Sequence, residues 1–246
     1  MALPALTLSV IRGLTERIPA PAAGLRRAIS FGYPDILASE DQLFDLFGND
    51  VSRELRFRPD SDAILRWHNA TAMADRVVES RHFFSLIGYD LTIADIAPIR
   101  GDEIIIDLNE AVDAAFTDPG YDLVIDGGTA EHCFNIGQAF KNFAHLTRVG
   151  GFVFHLNPAS MFNHGFYNLN PTMYADFYAA NGFEVEFLKA AANMMATPQV
   201  VDVPAHARFN HLPANATLIC AARRLVRQPI TWPMQAKYRL NPTQTA

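Results

Sequence analysis

At 246 residues, half of them apolar and 19% charged, the chain can bury one sizeable core and needs no second domain. A formal net charge of −6, with three lysines in all, supplies no basic surface for nucleic-acid phosphates, and no apolar run approaches the ~20 residues that cross a bilayer. The two cysteines, Cys133 and Cys220, are too few for a disulfide framework and read as reduced thiols packed in a core, which makes a cytoplasmic setting the expectation.

From the N-terminus, Leu6, Val10, Ile11, Leu14 and Ile18 recur at helical spacing until Pro19-Ala-Pro21 breaks the pattern. The polar face of this segment mixes charges, so a lid or an oligomer arm is expected rather than a membrane-surface helix, and a homodimer is plausible. Ser39, followed by Glu40, Asp41 and Leu43-Phe44, has the pattern of a capped helix. Residues 1–60 are accordingly read as a helical extension or lid, 61–225 as an α/β domain and 226–246 as a tail.

Ala63-Ile-Leu-Arg-Trp67 is taken as the first strand of the sheet, with Ala74 to Leu86 as the helix after it. Tyr89–Asp95 and Gly101–Asn109 supply the next two strands, the second through three consecutive isoleucines. Tyr121–Pro158 is a complete β-α-β unit. Its first strand, Asp122-Leu-Val-Ile-Asp126, lacks polar alternation, as a parallel strand covered on both faces does. Gly127 and Gly128 turn the chain, Thr129 caps a helix carrying Ile136, Phe140, Phe143 and Leu146, and Phe152–Leu156 is the second strand. Phe183–Leu188 and Ala216–Ala222 then form an antiparallel pair, and the segment between them, with Met194-Met195, is long enough to cover a site. The expected fold is a three-layer, doubly wound α/β domain, with a mostly parallel sheet of about seven strands and a C-terminal antiparallel edge hairpin. In such a sheet ligands sit outside the carboxyl ends of the strands, so 126–132 and 155–164 border one crevice.

The pattern DLVIDGG..EH.FN...AF.N..HL...GGF..H..P over 122–158, followed by NHGFYNLNPTMYADFYAANGF, resembles the second half of class I S-adenosylmethionine-dependent methyltransferases. The likeness covers residues 89–225 and implies S-adenosylmethionine as cofactor. It places Asp95 where an acid accepts the ribose hydroxyls, Asp107 near the adenine amino group with Leu108 against the ring, and Asp126, Gly127 and Gly128 beside the sulfonium. The family's acidic, glycine-rich loop falls at His68–Asp75, which holds no glycine and turns through Asn69. Taken as residues alone, Asp95 equally caps Ile96-Ala-Pro98, Asn109 serves in place of Asp107 or, in preference, in the turn into Glu110, and the glycines equally serve only the strand-to-helix turn.

Among groups near the crevice, His164 is the favoured base, with His132 second, because imidazole titrates near neutral pH. Glu131, His155 and Tyr167 are assigned to substrate contact. No His-x-x-x-His or Cys-x-x-Cys pair occurs, so Asp126, His132, His155 and His164 read as scattered groups and no metal is expected. The resulting expectation is methyl transfer to a hydroxyl or amine of a small acceptor, of the sugar or secondary-metabolite type, without nucleic-acid or membrane partners. The alternative is a non-catalytic scaffold of the same fold that binds a ligand or a protein partner.

Overall fold

The computed structural model describes residues 1–72 and 74–239, so Met73 and the last seven residues of the expected tail lie outside the described residues. Its elements run β1 (Ala2–Pro4), α1 (Ala5–Arg17), β2 (Arg26–Phe31), β3 (Asp35–Leu37), α2 (Glu40–Arg53), α3 (Ser61–Trp67), α4 (Ser80–Leu86), β4 (Tyr89–Asp95) and β5 (Ile104–Ile105). The second half runs β6 (Tyr121–Asp126), α5 (Ile136–Leu146), β7 (Thr147–Pro158), α6 (Pro171–Ala180), β8 (Phe183–Ala192), β9 (Gln199–Asp202), β10 (Thr217–Arg224) and α7 (Ala236–Arg239).

The main sheet has eight strands in the order β5-β4-β2-β6-β7-β10-β8-β9. The first five are parallel, and β10, β8 and β9 add antiparallel pairings. The sheet is thus mixed, with eight strands rather than about seven, and β10 lies between β7 and β8 while β9 forms the edge. Alternate residues of the central strands face opposite layers. Ala28, Leu123 and Ile125 join Leu8, Ile11 and Phe83 of the helices on one side. Ile29, Phe31 and Val124 join Phe140, Phe143 and Tyr178 on the other. This two-faced burial is why the strand sequences lack polar alternation.

Two boundaries differ from the sequence reading. The strand that starts the doubly wound order is Arg26–Phe31, inside the segment read as an extension, and α1 packs on the sheet as part of one helical layer. Ala63–Trp67 belongs to a helix whose Ile64 and Leu65 pack with Leu37 and Val77 while Arg66 and Trp67 face solvent. A short apolar run cannot be assigned to strand or helix from periodicity alone, and here tertiary packing decides. By contrast, Ser39 and Gln42 form the reciprocal capping box expected at the start of α2.

One buried cation holds the sheet to α5. The Arg224 guanidinium, at the end of β10, donates to the carbonyls of Ala144 (2.6 Å) and Thr147 (2.8 Å), closing the helix C-terminus. A cation there also meets the negative end of the helix dipole.

Candidate active site

The strand order reverses beside β2, whose neighbours are β4 and β6, so the crevice of a doubly wound sheet opens there. β2 is followed by Gly32, whose φ of +89° is costly for any residue with a Cβ. A Cβ at Gly32 would lie 3.8 Å from Thr129 Oγ1 and 3.9 Å from Asp95 Oδ2, which brings the ends of β2, β4 and β6 to one point. A glycine therefore follows β2, the strand beside which the order reverses. Asn69, with φ +53°, is an exposed turn residue after α3 and is not on a strand-to-helix turn of the sheet.

Met1 sits in this crevice. Its carbonyl accepts the Asp35 N–H at 3.0 Å where β1 pairs with β3, and its side chain lies over Gly127, where a Cβ would come within 1.7 Å of the thioether sulfur. Burial lowers the pKa of its amine, opposed by the charges of Asp35 and Asp95 and assisted by Arg100. Around this point a crevice of about 440 Å³ is bordered by Met1, His68, Gly128, His132, His164 and Met194.

The remaining sequence assignments separate into open and buried groups. Asp95 Oδ1 accepts the Ile96 N–H at 2.7 Å while Oδ2 faces Gly32. Asp107 is exposed and folds back on its own turn, accepting the N–H and side-chain amide of Asn109, both at 2.8 Å. Leu108 is buried in the core beneath it.

Asp126 does not face the crevice. It is fully buried, with Oδ1 accepting the Thr129 and Ala130 N–H groups at 3.0 Å each, and Oδ2 receiving bonds from His155 Nδ1 (2.8 Å) and Asn157 Nδ2 (2.9 Å). Burial would raise its pKa, but the bonds from His155, Asn157 and Ala130 outweigh it and hold the carboxyl below the usual range. His155 is equally buried, its other nitrogen bonded to the Tyr178 hydroxyl and its ring stacked on Phe140, so it has no atom free for a substrate. Tyr167 donates its hydroxyl to the Phe134 carbonyl at 2.8 Å. These three residues shape the site's foundation rather than its lining.

Asn157, Tyr174 and Tyr178 were missed by the sequence reading. Asn157 donates to both Asp126 and Glu131 (2.9 Å each) and accepts from the Tyr174 hydroxyl at 2.7 Å. No motif marks them, because they meet only through packing of β7 against α6.

Glu131 and His132 lie in a 3₁₀ turn, Ala130–His132, ahead of the helix they were expected to begin; α5 itself starts after Asn135, whose side chain accepts the Gln138 N–H. Glu131 is fully buried. Burial and then the charge of Asp126 push its pKa up to about 8. Its Oε1 points at His164 Nε2 (3.5 Å) and His132 Nε2 (3.9 Å). The two imidazole rings are 5.2 Å apart and each is about half exposed to the crevice. Burial, then the neighbouring His164, lowers the pKa of His132. The loop bearing His164 is fastened down: Phe166 N–H donates to the Glu131 carbonyl at 2.8 Å, and a Cβ at Gly165 would lie 2.8 Å from that oxygen.

A larger concavity, about 860 Å³, lies apart from the strand ends on the outer face of α5 and α6, bordered by Phe177, His206 and Trp232. No helix among the described residues is long and apolar enough to cross a membrane.

No protein-family model matches the chain, and no curated protein matches it in sequence. Among solved structures it is similar to trans-methyltransferase CalH in complex with SAH, at 13% identity and TM-score 0.47, over 89% of this chain and 55% of that one. It is similar to the CMeT domain of the citrinin polyketide synthase, at 9% identity and TM-score 0.45, over 89% of this chain and 52% of that one. A third likeness is to the 16S rRNA (adenine(1408)-N(1))-methyltransferase from Catenulisporales acidiphilia, at 11% identity and TM-score 0.44, over 89% and 94% of the two chains. The chain thus spans about half the length of the first two. Its own strand order, five parallel strands reversing beside β2 and extended by the β10-β8 antiparallel pairing, is that of a doubly wound α/β sheet.

Proposed function

We propose that the chain is an S-adenosylmethionine-dependent methyltransferase that acts on a hydroxyl or amine of a small acceptor. The observation that carries this reading is the seat of the Met1 side chain. Its thioether lies on Gly127, at the point where the strand order reverses. A methionine side chain already fills the space over Gly127, so that space fits the sulfur-bearing part of the cofactor's methionyl half.

Gly32 and Gly127 would give that half close backbone approach, and Asp95 Oδ2 would accept from a ribose hydroxyl. When bound, S-adenosylmethionine supplies an electrophilic methyl group. The chain's own residues align and exclude: Met194 and Leu156 give the crevice apolar walls, and the Glu131–His132–His164 cluster faces it as the polar group that handles the acceptor's proton. Because Met1 and a methionyl group claim the same space, the N-terminal strand would withdraw as the cofactor enters.

Calorimetric titration with S-adenosylhomocysteine tests the reading. Micromolar binding that falls at least tenfold in Asp95→Ala is expected. No heat at millimolar ligand would leave the chain a scaffold of the same fold.

A further inference from the structure

We infer that Glu131, His132 and His164 form a binding site for a divalent transition-metal ion of the zinc type, with an open position for an oxygen ligand. One donor atom from each of the three lies within 4.8 Å of the others. Around a tetrahedral ion with bonds of about 2.0–2.1 Å, neighbouring donors are roughly 3.3 Å apart. The Glu131 Oε1 separations of 3.5 Å and 3.9 Å from the two imidazole nitrogens need only small side-chain adjustments to reach that value.

The carboxylate itself points to a missing ligand. Glu131 Oε1 is buried and has no hydrogen-bond partner, a condition folded proteins rarely leave unexplained, and it is aimed between the two histidines. Its other oxygen is held by Asn157 Nδ2 at 2.9 Å, and Asn157 is fixed in turn by the Tyr174 hydroxyl at 2.7 Å. A ligand carboxylate oriented through one oxygen, with the other left free, is the arrangement that outer-shell groups impose on metal ligands. The backbone fixes the pair of loops as well, because the contact of Gly165 and Phe166 with Glu131 brings a residue from after β7 against one from after β6.

Two imidazoles and one carboxylate suit zinc and its neighbours in the first transition row better than magnesium or calcium, which take all-oxygen shells. Three protein donors leave one tetrahedral position, and both histidines face the crevice, so the fourth ligand is water or an acceptor hydroxyl. Ion binding does not rest on the methyltransferase reading. The presence of an acceptor oxygen on the ion does.

The test uses the full chain, stripped with chelator and titrated with Co²⁺ and Zn²⁺ without S-adenosyl ligands. One equivalent of Co²⁺ is expected to bind with visible ligand-field absorption and to be displaced by Zn²⁺. His132→Ala and His164→Ala should each weaken binding at least about 100-fold, since ligand loss exceeds the 10–100-fold typical of outer-shell changes. His206→Ala, on the outer concavity, should leave it unchanged. Both ligand histidines are about half exposed, so their replacement should leave the far-ultraviolet circular dichroism intact, and His164→Gln repeats the measurement if the alanine variant is lost. Absence of one-equivalent binding, or equal affinity in wild type and the His164 variants, would overturn the inference. S-adenosylhomocysteine binding, measured separately, would be untouched by that failure.

Discussion

Asp126→Asn is the substitution whose cost follows most directly from the hydrogen bonds. The carboxylate accepts four N–H bonds inside the core, two on each oxygen. An asparagine amide offers one oxygen and one NH₂, so whichever way it turns, two donors meet a donor. The Thr129 and Ala130 amides cannot invert, so the NH₂ faces His155 and Asn157. His155 can shift its proton toward Tyr178 and accept instead, but Asn157 is held by Glu131 and Tyr174 and cannot. One or two buried donors at about 1–3 kcal/mol each place the loss at about 2–5 kcal/mol. For a domain of this size that corresponds to a melting temperature about 10 °C lower. Urea unfolding at pH 7, followed by far-ultraviolet circular dichroism, measures it. A loss below about 1 kcal/mol would refute the account of Asp126 as the hub beneath the site. The pH dependence has a fixed sign. The folded pKa lies below the unfolded value, so the contribution is present above about pH 4 and is lost as pH falls through the lowered folded value. Wild type and Asp126→Asn should therefore converge in stability below about pH 4.

Three further outcomes follow. Gly127→Ala sets a Cβ 1.7 Å from the Met1 sulfur, a flexible side chain that can move away, so stability should fall by about 1 kcal/mol or less while S-adenosylhomocysteine affinity falls at least tenfold; equal affinity would show that the cradle is not used. Gly165→Ala meets the Glu131 backbone at 2.8 Å, which cannot yield in the same way, and should cost about 1–3 kcal/mol and weaken Co²⁺ binding, read by urea unfolding and absorption titration. Burial pushes the Cys133 thiol up to about 12 and raises Cys220 further, so iodoacetamide at pH 8 should leave both unmodified by intact-mass measurement until the protein is unfolded.

The strands β6, β7 and β10 were legible because burial on both faces imposes continuous apolar runs, β8 because its apolar and charged residues alternate, and Gly127-Gly128 marks a real turn. β2 was hidden by its own ends. Arg26 and Arg27 begin the strand, where their side chains reach carbonyls of Ile18 and Gly120, and the strand proper is only six residues long. Missing β2 shifted the expected first strand-to-helix turn by some forty residues, from Gly32 to the turn at Asn69. At the site, His132, His164 and Glu131 were each assigned to the crevice, but their convergence was invisible because it depends on how two loops after different strands meet at Gly165. The carboxylates were harder still. Asp95, Asp107 and Asp126 stand at corresponding strand ends in the sequence, yet Asp95 caps the next residue with one oxygen and turns the other toward Gly32, Asp107 closes its own turn, and Asp126 is buried on His155 and Asn157, about thirty residues further along the chain.

The location of the cofactor is the measurement that bears on everything above. Ultraviolet photolabelling with tritiated S-adenosylmethionine, followed by peptide mapping, should place the label on Met1 or on the segments 31–37 and 126–132, and excess S-adenosylhomocysteine should suppress it. Label confined to the outer concavity around Phe177, His206 and Trp232, or none above the unfolded control, would contradict the assignment of the crevice at Gly32 and Gly127.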